Sequence, residues 1–205
     1  MLRRVFLALA ASVVLAGCAN ESPPDASPVE VMRRAYVPDG PAELTLYTVR
    51  SVKHNDGAHT ALLISGSQTV LWDPSGSFEH PAVPEVDDVL YGMTPRMQLV
   101  YVDYHVRPEY YVMEQKLTVD RATADRLIAL AEARGAAPKS TCARSTSTIL
   151  REAGLPVRAT WFPEGVQAQF GKIPGATTRK VDMSNVDTSH GVLYGHNGVP
   201  NPPGT

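Results

Sequence analysis

The sequence is short of the features that usually announce a chemistry. With two cysteines in 205 residues, a framework of several disulfides is excluded. No Gly-x-Ser-x-Gly elbow, Gly-rich phosphate loop or metal-ligand spacing occurs, so no serine hydrolase signature is present and no cofactor or metal is expected. Basic residues form no cluster that would track a phosphate backbone, which argues against nucleic acid as a partner. Internal repeats are absent. The longest apolar run, Val5 to Val14, is too short to span a bilayer.

That run belongs to an N-terminal pattern. Arg3 and Arg4 precede it, and Leu15-Ala16-Gly17-Cys18 follows, giving the order of a secretory signal. The ending resembles the lipobox of bacterial lipoproteins. The resemblance implies cleavage after residue 17, lipidation of Cys18 and membrane attachment through that cysteine; Ala19 after it favours the outer membrane, facing the periplasm. The remaining 188 residues (205 less 17) carry 17 basic and 21 acidic side chains, a net charge of −4. Residues 18–42, with Pro23, Pro24, Pro28 and Pro38, read as a flexible tether, and 190–205 as a Pro/Gly-rich tail. Between them 43–189 suits one monomeric domain.

Within that domain the pattern is mixed α+β. Glu43–Val49 reads as a strand, and Thr60–Ile64 with Thr69–Trp72 as a hairpin ended by Asp73-Pro74. Leu99–Val106 and Tyr110–Val119 also alternate as strands. Asp120 is placed to cap a helix with Ala124, Leu127, Ile128 and Ala131 on one face, and Gly135 to end it. A second helix starts near Ser140 or Thr141 and stops at Gly154, with Cys142, Ile149, Leu150 and Ala153 inward.

Lipidation of Cys18 would leave Cys142 alone in an oxidising compartment. At the first turn of a helix, unpaired N–H groups and the positive dipole end favour a thiolate, the nucleophilic form. Arg144 adds positive charge nearby. The competing reading is an inert core cysteine. His59, beside the first hairpin strand, is the candidate base. If the hairpin turns about Gly66, paired residues sum to 132 and Asp73 lies opposite His59 as its orienting partner, with Glu79 and His80 behind. Asp73 is equally accounted for as the start of a turn. His54, Asp56 and His59 lack a metal-site spacing, and Asp87-Asp88 reads as a solvated turn. His80, His105, His190 and His196 show no partner, while Trp72, Trp161, Phe162 and Phe170 read as core or groove wall.

The order of these parts (His59 opening an early strand, an Asp-Pro-x-Gly-Ser turn, Cys142 opening a later helix) resembles the circularly permuted papain-like group, related to NlpC-type peptidases and lecithin:retinol acyltransferase-like proteins. The resemblance covers roughly residues 44–170. It implies an antiparallel sheet packed against a few helices, with Cys142 as nucleophile, His59 as base and Asp73 as orienter. The Asn-Cys-Glu-His signature of the retinol branch is absent, Thr141-Cys142-Ala143-Arg144 standing there. The activity so implied is a thiol amidase or peptidase acting on peptidoglycan peptides through a thioester. The alternatives are a lipid-directed acyltransferase or hydrolase, and a non-catalytic binding or scaffolding lipoprotein.

Overall fold

A computed structural model describes residues 25–192. The signal segment, Cys18, the first part of the expected tether, and the end of the tail with His196 lie outside the described residues. Elements run α1 (Pro28–Arg34), β1 (Glu43–Ser51), β2 (Gly57–Ser65), β3 (Thr69–Trp72), β4 (Glu85–Val86), β5 (Val89–Tyr91), α2 (Pro95–His105), β6 (Tyr110–Thr118), α3 (Arg121–Arg134), α4 (Cys142–Glu152), α5 (Pro163–Phe170) and β7 (Thr177–Val181). The fold is α+β. Its seven strands form one antiparallel sheet in the order β4-β5-β3-β2-β1-β6-β7.

Both faces of the sheet are covered. On one, Leu44, Leu46, Leu62, Ile64 and Trp72 pack with Leu127, Ile149, Val166 and Phe170 from α3, α4 and α5. On the other, Tyr47, Ala61, Leu63 and Leu71 pack with Val100 and Tyr101 of α2. This is why Ala61–Ile64 is an unbroken apolar run: alternate residues face opposite layers and both layers are dry. Each of the fully buried Leu62, Leu71 and Leu127 contributes about 1.5–3 kcal/mol of transfer free energy. At the edges, β4 is only two residues long and β7 carries Arg179 and Lys180, which discourages pairing with another chain.

The helix after β6 forms as its pattern predicts. Asp120 accepts from the Thr123 N–H, Ala124, Leu127, Ile128 and Ala131 are the buried face, and Gly135 ends it at φ 70°. Three expectations are overturned. Leu99–Val106 lies in α2, not a strand. Thr94 caps that helix by accepting from the Met97 N–H, Pro95 starts it, and Met97, Val100 and Tyr101 recur at helical spacing on the buried side. Tertiary burial outweighs the strand preference of Val100, Tyr101 and Val102.

Second, from residue 25 the expected tether is docked. Ser27 and Glu30 form a capping box at α1, Val31 packs on the core, and Tyr36 accepts from the Thr69 N–H at 2.8 Å. Third, His190 is 4 % exposed rather than part of a tail. Its Nε2 lies 3.1 Å from Asp103 Oδ2, and its carbonyl accepts two bonds from Arg96.

Candidate active site

The β2–β3 hairpin sets the site. Its pairs are Leu62↔Trp72 through Ser65↔Thr69, so the turn centres on Ser67 and not Gly66. The three-residue loop is tied by the Gly66 N–H to Gln68 O at 2.9 Å and by Ser67 N–H to Asp125 Oδ1 at 2.6 Å. Direct opposition of His59 and Asp73 is therefore not realised; carried past Trp72, this register sets Asp73 beside Ala61. A shift of two keeps the same side-chain parity, so His59 and Asp73 still share a face. They meet diagonally, with His59 Nε2 2.6 Å from Asp73 Oδ1.

Asp73 both contacts the His59 ring and forms a turn. Its carbonyl accepts the Gly76 N–H at 2.8 Å, with Ser75 at φ 59° between them. Gly76 sits against the carboxylate so closely that a Cβ there would overlap Asp73 Oδ2. From α2, the Tyr101 hydroxyl donates to Asp73 Oδ1 at 2.9 Å. Asp88 holds the same turn from outside. Its carbonyl accepts from the Asp73 N–H at 2.9 Å, and its Oδ2 accepts from Ser75 N–H at 2.9 Å and Ala137 N–H at 2.8 Å. Asp87-Asp88 is thus a tight hairpin turn with both φ positive, 50° and 63°, whose second carboxylate ties the Asp73 turn to the loop before Cys142.

Cys142 is the first residue of α4, and it is free. Thr141 makes no side-chain cap; its hydroxyl donates instead to Pro138 O at 2.6 Å, leaving the helix's first N–H groups uncapped. The sulfur sits where β3 leaves the sheet. β2 pairs with β3 only from Leu62 onward, so Thr60 has no strand on that side. Its N–H, that of Ala143 and the His59 ring are the neighbours that favour the ionised form of the sulfur. Since Nε2 of that ring is on Asp73, Nδ1 is the nitrogen left for the thiol.

The charges follow. Burial alone would lower the His59 pKa, but the Asp73 carboxylate, the bond to it and the Cys142 sulfur outweigh burial and raise it well above the ordinary imidazole range. Burial pushes the Cys142 thiol up, yet His59 and the two backbone N–H groups bring it below its usual value. Asp73, buried, is held below the carboxyl range chiefly by His59. Both shifts point toward a thiolate–imidazolium pair. His105 stacks on His59 at 5.9 Å with planes 8° apart. Burial lowers its pKa to about 4, so it stays neutral beside the imidazolium near pH 7.

The structure brings Cys142, His59 and Asp73 together. It does not bring Glu79, which is exposed, or His80, whose Nδ1 accepts from the Ala82 N–H. Tyr101, His105 and Asp88 belong to the cluster, and sequence reasoning missed them. The Thr94-Pro95 start signal was the cue for α2, and with it for Tyr101 and His105. Trp72 and Phe170 are fully buried, whereas Trp161 and Phe162 are exposed. Those two stand at the rim: Arg144 lies 5.7 Å over the Trp161 ring, and Glu164, next in chain to Pro163, accepts from the Gly57 N–H at 3.0 Å.

Comparison with protein-family models, with curated proteins and with solved structures finds no match for this chain.

Proposed function

We propose that this chain is a cell-envelope lipoprotein with a thiol acyl-hydrolase site of permuted papain-like type. The single observation that carries the reading is the bonded chain Tyr101–Asp73–His59, with Cys142 next to the His59 ring at the start of α4. Such a chain has the arrangement of nucleophile, base and orienter that acyl transfer requires.

In the proposed reaction the Cys142 sulfur attacks a carbonyl carbon. A C–S bond forms while the carbonyl electron pair moves to oxygen. The Cys142 N–H in the uncapped turn of α4 stabilises that oxyanion. As the tetrahedral species collapses, the C–N bond of an amide breaks and the imidazolium proton passes to the departing amine. Water then adds to the thioester, His59 takes its proton, and C–S cleavage restores the thiolate. Tyr101 and Asp73 act by holding the His59 ring.

The substrate proposed first is an amide of a peptidoglycan stem peptide at the periplasmic face of the outer membrane. A second reading, an ester or amide of a lipid, is favoured by exposed Trp161 and Phe162 beside the site. A binding module that merely keeps the fold is the competing class. Lipidated protein is incubated separately with muropeptides and with diacyl lipids, and intact mass locates any adduct. A stem-peptide fragment or an acyl chain on Cys142, absent in Cys142→Ser, supports an enzyme and selects the substrate. No adduct and no product with either supports the binding module.

A further inference from the structure

Three landmarks lie at one end of the sheet. The first is where the described chain begins: Asp25 Oδ1 accepts from the Asp87 N–H at 3.0 Å, and Ala26 N–H donates to Glu85 O at 2.8 Å, both on the β4–β5 hairpin. The second is the catalytic cluster, tied to that hairpin through the three bonds of Asp88. The third is the pair Trp161 and Phe162, 60 % and 65 % exposed, held against the Gly57 end of β2 by the Glu164 contact. Nothing in a water-facing enzyme calls for two large exposed aromatic side chains, consecutive in the chain, at the rim of its site.

From these we infer that the catalytic end of the domain faces the bilayer, with Trp161 and Phe162 inserted in its interfacial zone, so that the substrate is a molecule presented at the membrane surface. The inference rests on the reading that Cys18 is lipidated. Seven residue steps separate Cys18 from Asp25, at most about 25 Å of fully extended chain. An anchor that short, joining the domain at its catalytic end, holds that end near the headgroups. Trp favours the interface because its ring is apolar and its N–H polar. Arg144 above the Trp161 ring and exposed Lys139 supply cations for lipid phosphates, while Asp25, Glu79, Glu85 and Asp88 place negative charge at the same end, so the contact with the bilayer is made chiefly by the two aromatic side chains.

The chain has two tryptophans, and Trp72 is fully buried, so Trp161 is a clean reporter. The full lipidated chain and its Trp161→Phe variant are placed in phosphatidylethanolamine/phosphatidylglycerol vesicles whose acyl chains carry bromine near the headgroup. Emission assignable to Trp161, the difference between the two proteins, falls at least about twofold relative to unbrominated vesicles. Equal emission in both vesicle types, with the protein bound, overturns the inference, as does shielding of Trp161 by peptidoglycan but not by vesicles. Intact mass of the same sample tests the anchoring reading separately. If Cys18 carries no lipid, that reading fails, and quenching of the added chain still decides the surface.

Discussion

His59 Nε2 and the carboxylate of Asp73 are 2.6 Å apart although the residues are not directly paired in their hairpin. The contact exists because β3 stops at Trp72 and the chain turns through Asp73-Pro74-Ser75-Gly76, bringing the carboxylate to the ring nitrogen. This contact raises the His59 pKa, and His59 in turn lowers that of Cys142.

Cys142 is expected to react with iodoacetamide at pH 6.5 at least about tenfold faster than a free thiol, of which only about 1 % is ionised there. His59→Ala removes most of the advantage. A rate in the folded wild type equal to that of denatured protein means the ion pair does not form.

The pH profile of alkylation separates the two partners. The thiolate limb falls below the ordinary thiol range, because the thiol pKa is lowered. The imidazolium limb lies above the ordinary histidine range, because that pKa is raised. In Asp73→Asn that attraction is lost and only the Cys142 sulfur still opposes burial, so the upper limb moves down by at least about one pH unit. An unmoved upper limb would show that Asp73 does not govern the His59 charge.

Gly76→Ala tests the turn. Glycine is needed there for the close approach of Asp73, so the added methyl must displace the carboxylate. We expect alkylation at pH 6.5 to slow about tenfold or more. Gly40→Ala, which meets nothing within 4 Å, serves as the control and leaves the rate unchanged. Equal rates in both variants would remove the turn from the mechanism.

Much of this site is legible in the sequence. Cys142 was marked by the cap-like Ser140-Thr141 ahead of an apolar helical face, and His59 by its place at a strand start. Asp73 survived an error in the hairpin register because the error was two residues, which preserves the face. Tyr101 and His105 were hidden inside Leu99–Val106, where β-branched and aromatic residues imitate a strand. Asp88 was unreadable for a different reason: its role is to accept N–H groups from loops 13 and 49 residues away in sequence, and no local pattern encodes that. The docking of residues 25–42 was written in Ser27-Pro28-Val29-Glu30, a capping box masked by the proline content around it.

Tyr101→Phe keeps the packing and removes one hydrogen bond to a buried carboxylate, costing about 1.5–3 kcal/mol. Asp73 has a depressed pKa, so its contribution to stability is present above the unfolded carboxyl pKa and is lost as pH falls through the folded one. Without the Tyr101 bond the folded value rises. Acid unfolding, followed by circular dichroism, then begins at higher pH than in the wild type. Coincident acid transitions would contradict the role given to Tyr101.

Asp88→Ala leaves the Ser75 and Ala137 N–H groups without their acceptor and lets two loops drift apart. The thermal midpoint should fall by several degrees, equivalent to about 1–3 kcal/mol, and the iodoacetamide rate should fall with it. Asp88→Asn, which keeps an acceptor oxygen and tolerates the left-handed backbone, should recover both in part. A variant that loses stability but keeps the full rate would confine Asp88 to scaffolding.

The shortness of β3 has one more effect. A strand whose neighbour departs at Trp72 leaves the backbone of Gly57–Ala61 as a bare border, the kind of border on which a foreign strand can nucleate. The first turn of α4 now occupies that border, so the residues around Cys142 also serve as a plug against self-association. Loosening the loop at 135–141 would therefore threaten solubility as well as chemistry, and aggregates formed that way should contain β2 as their seed.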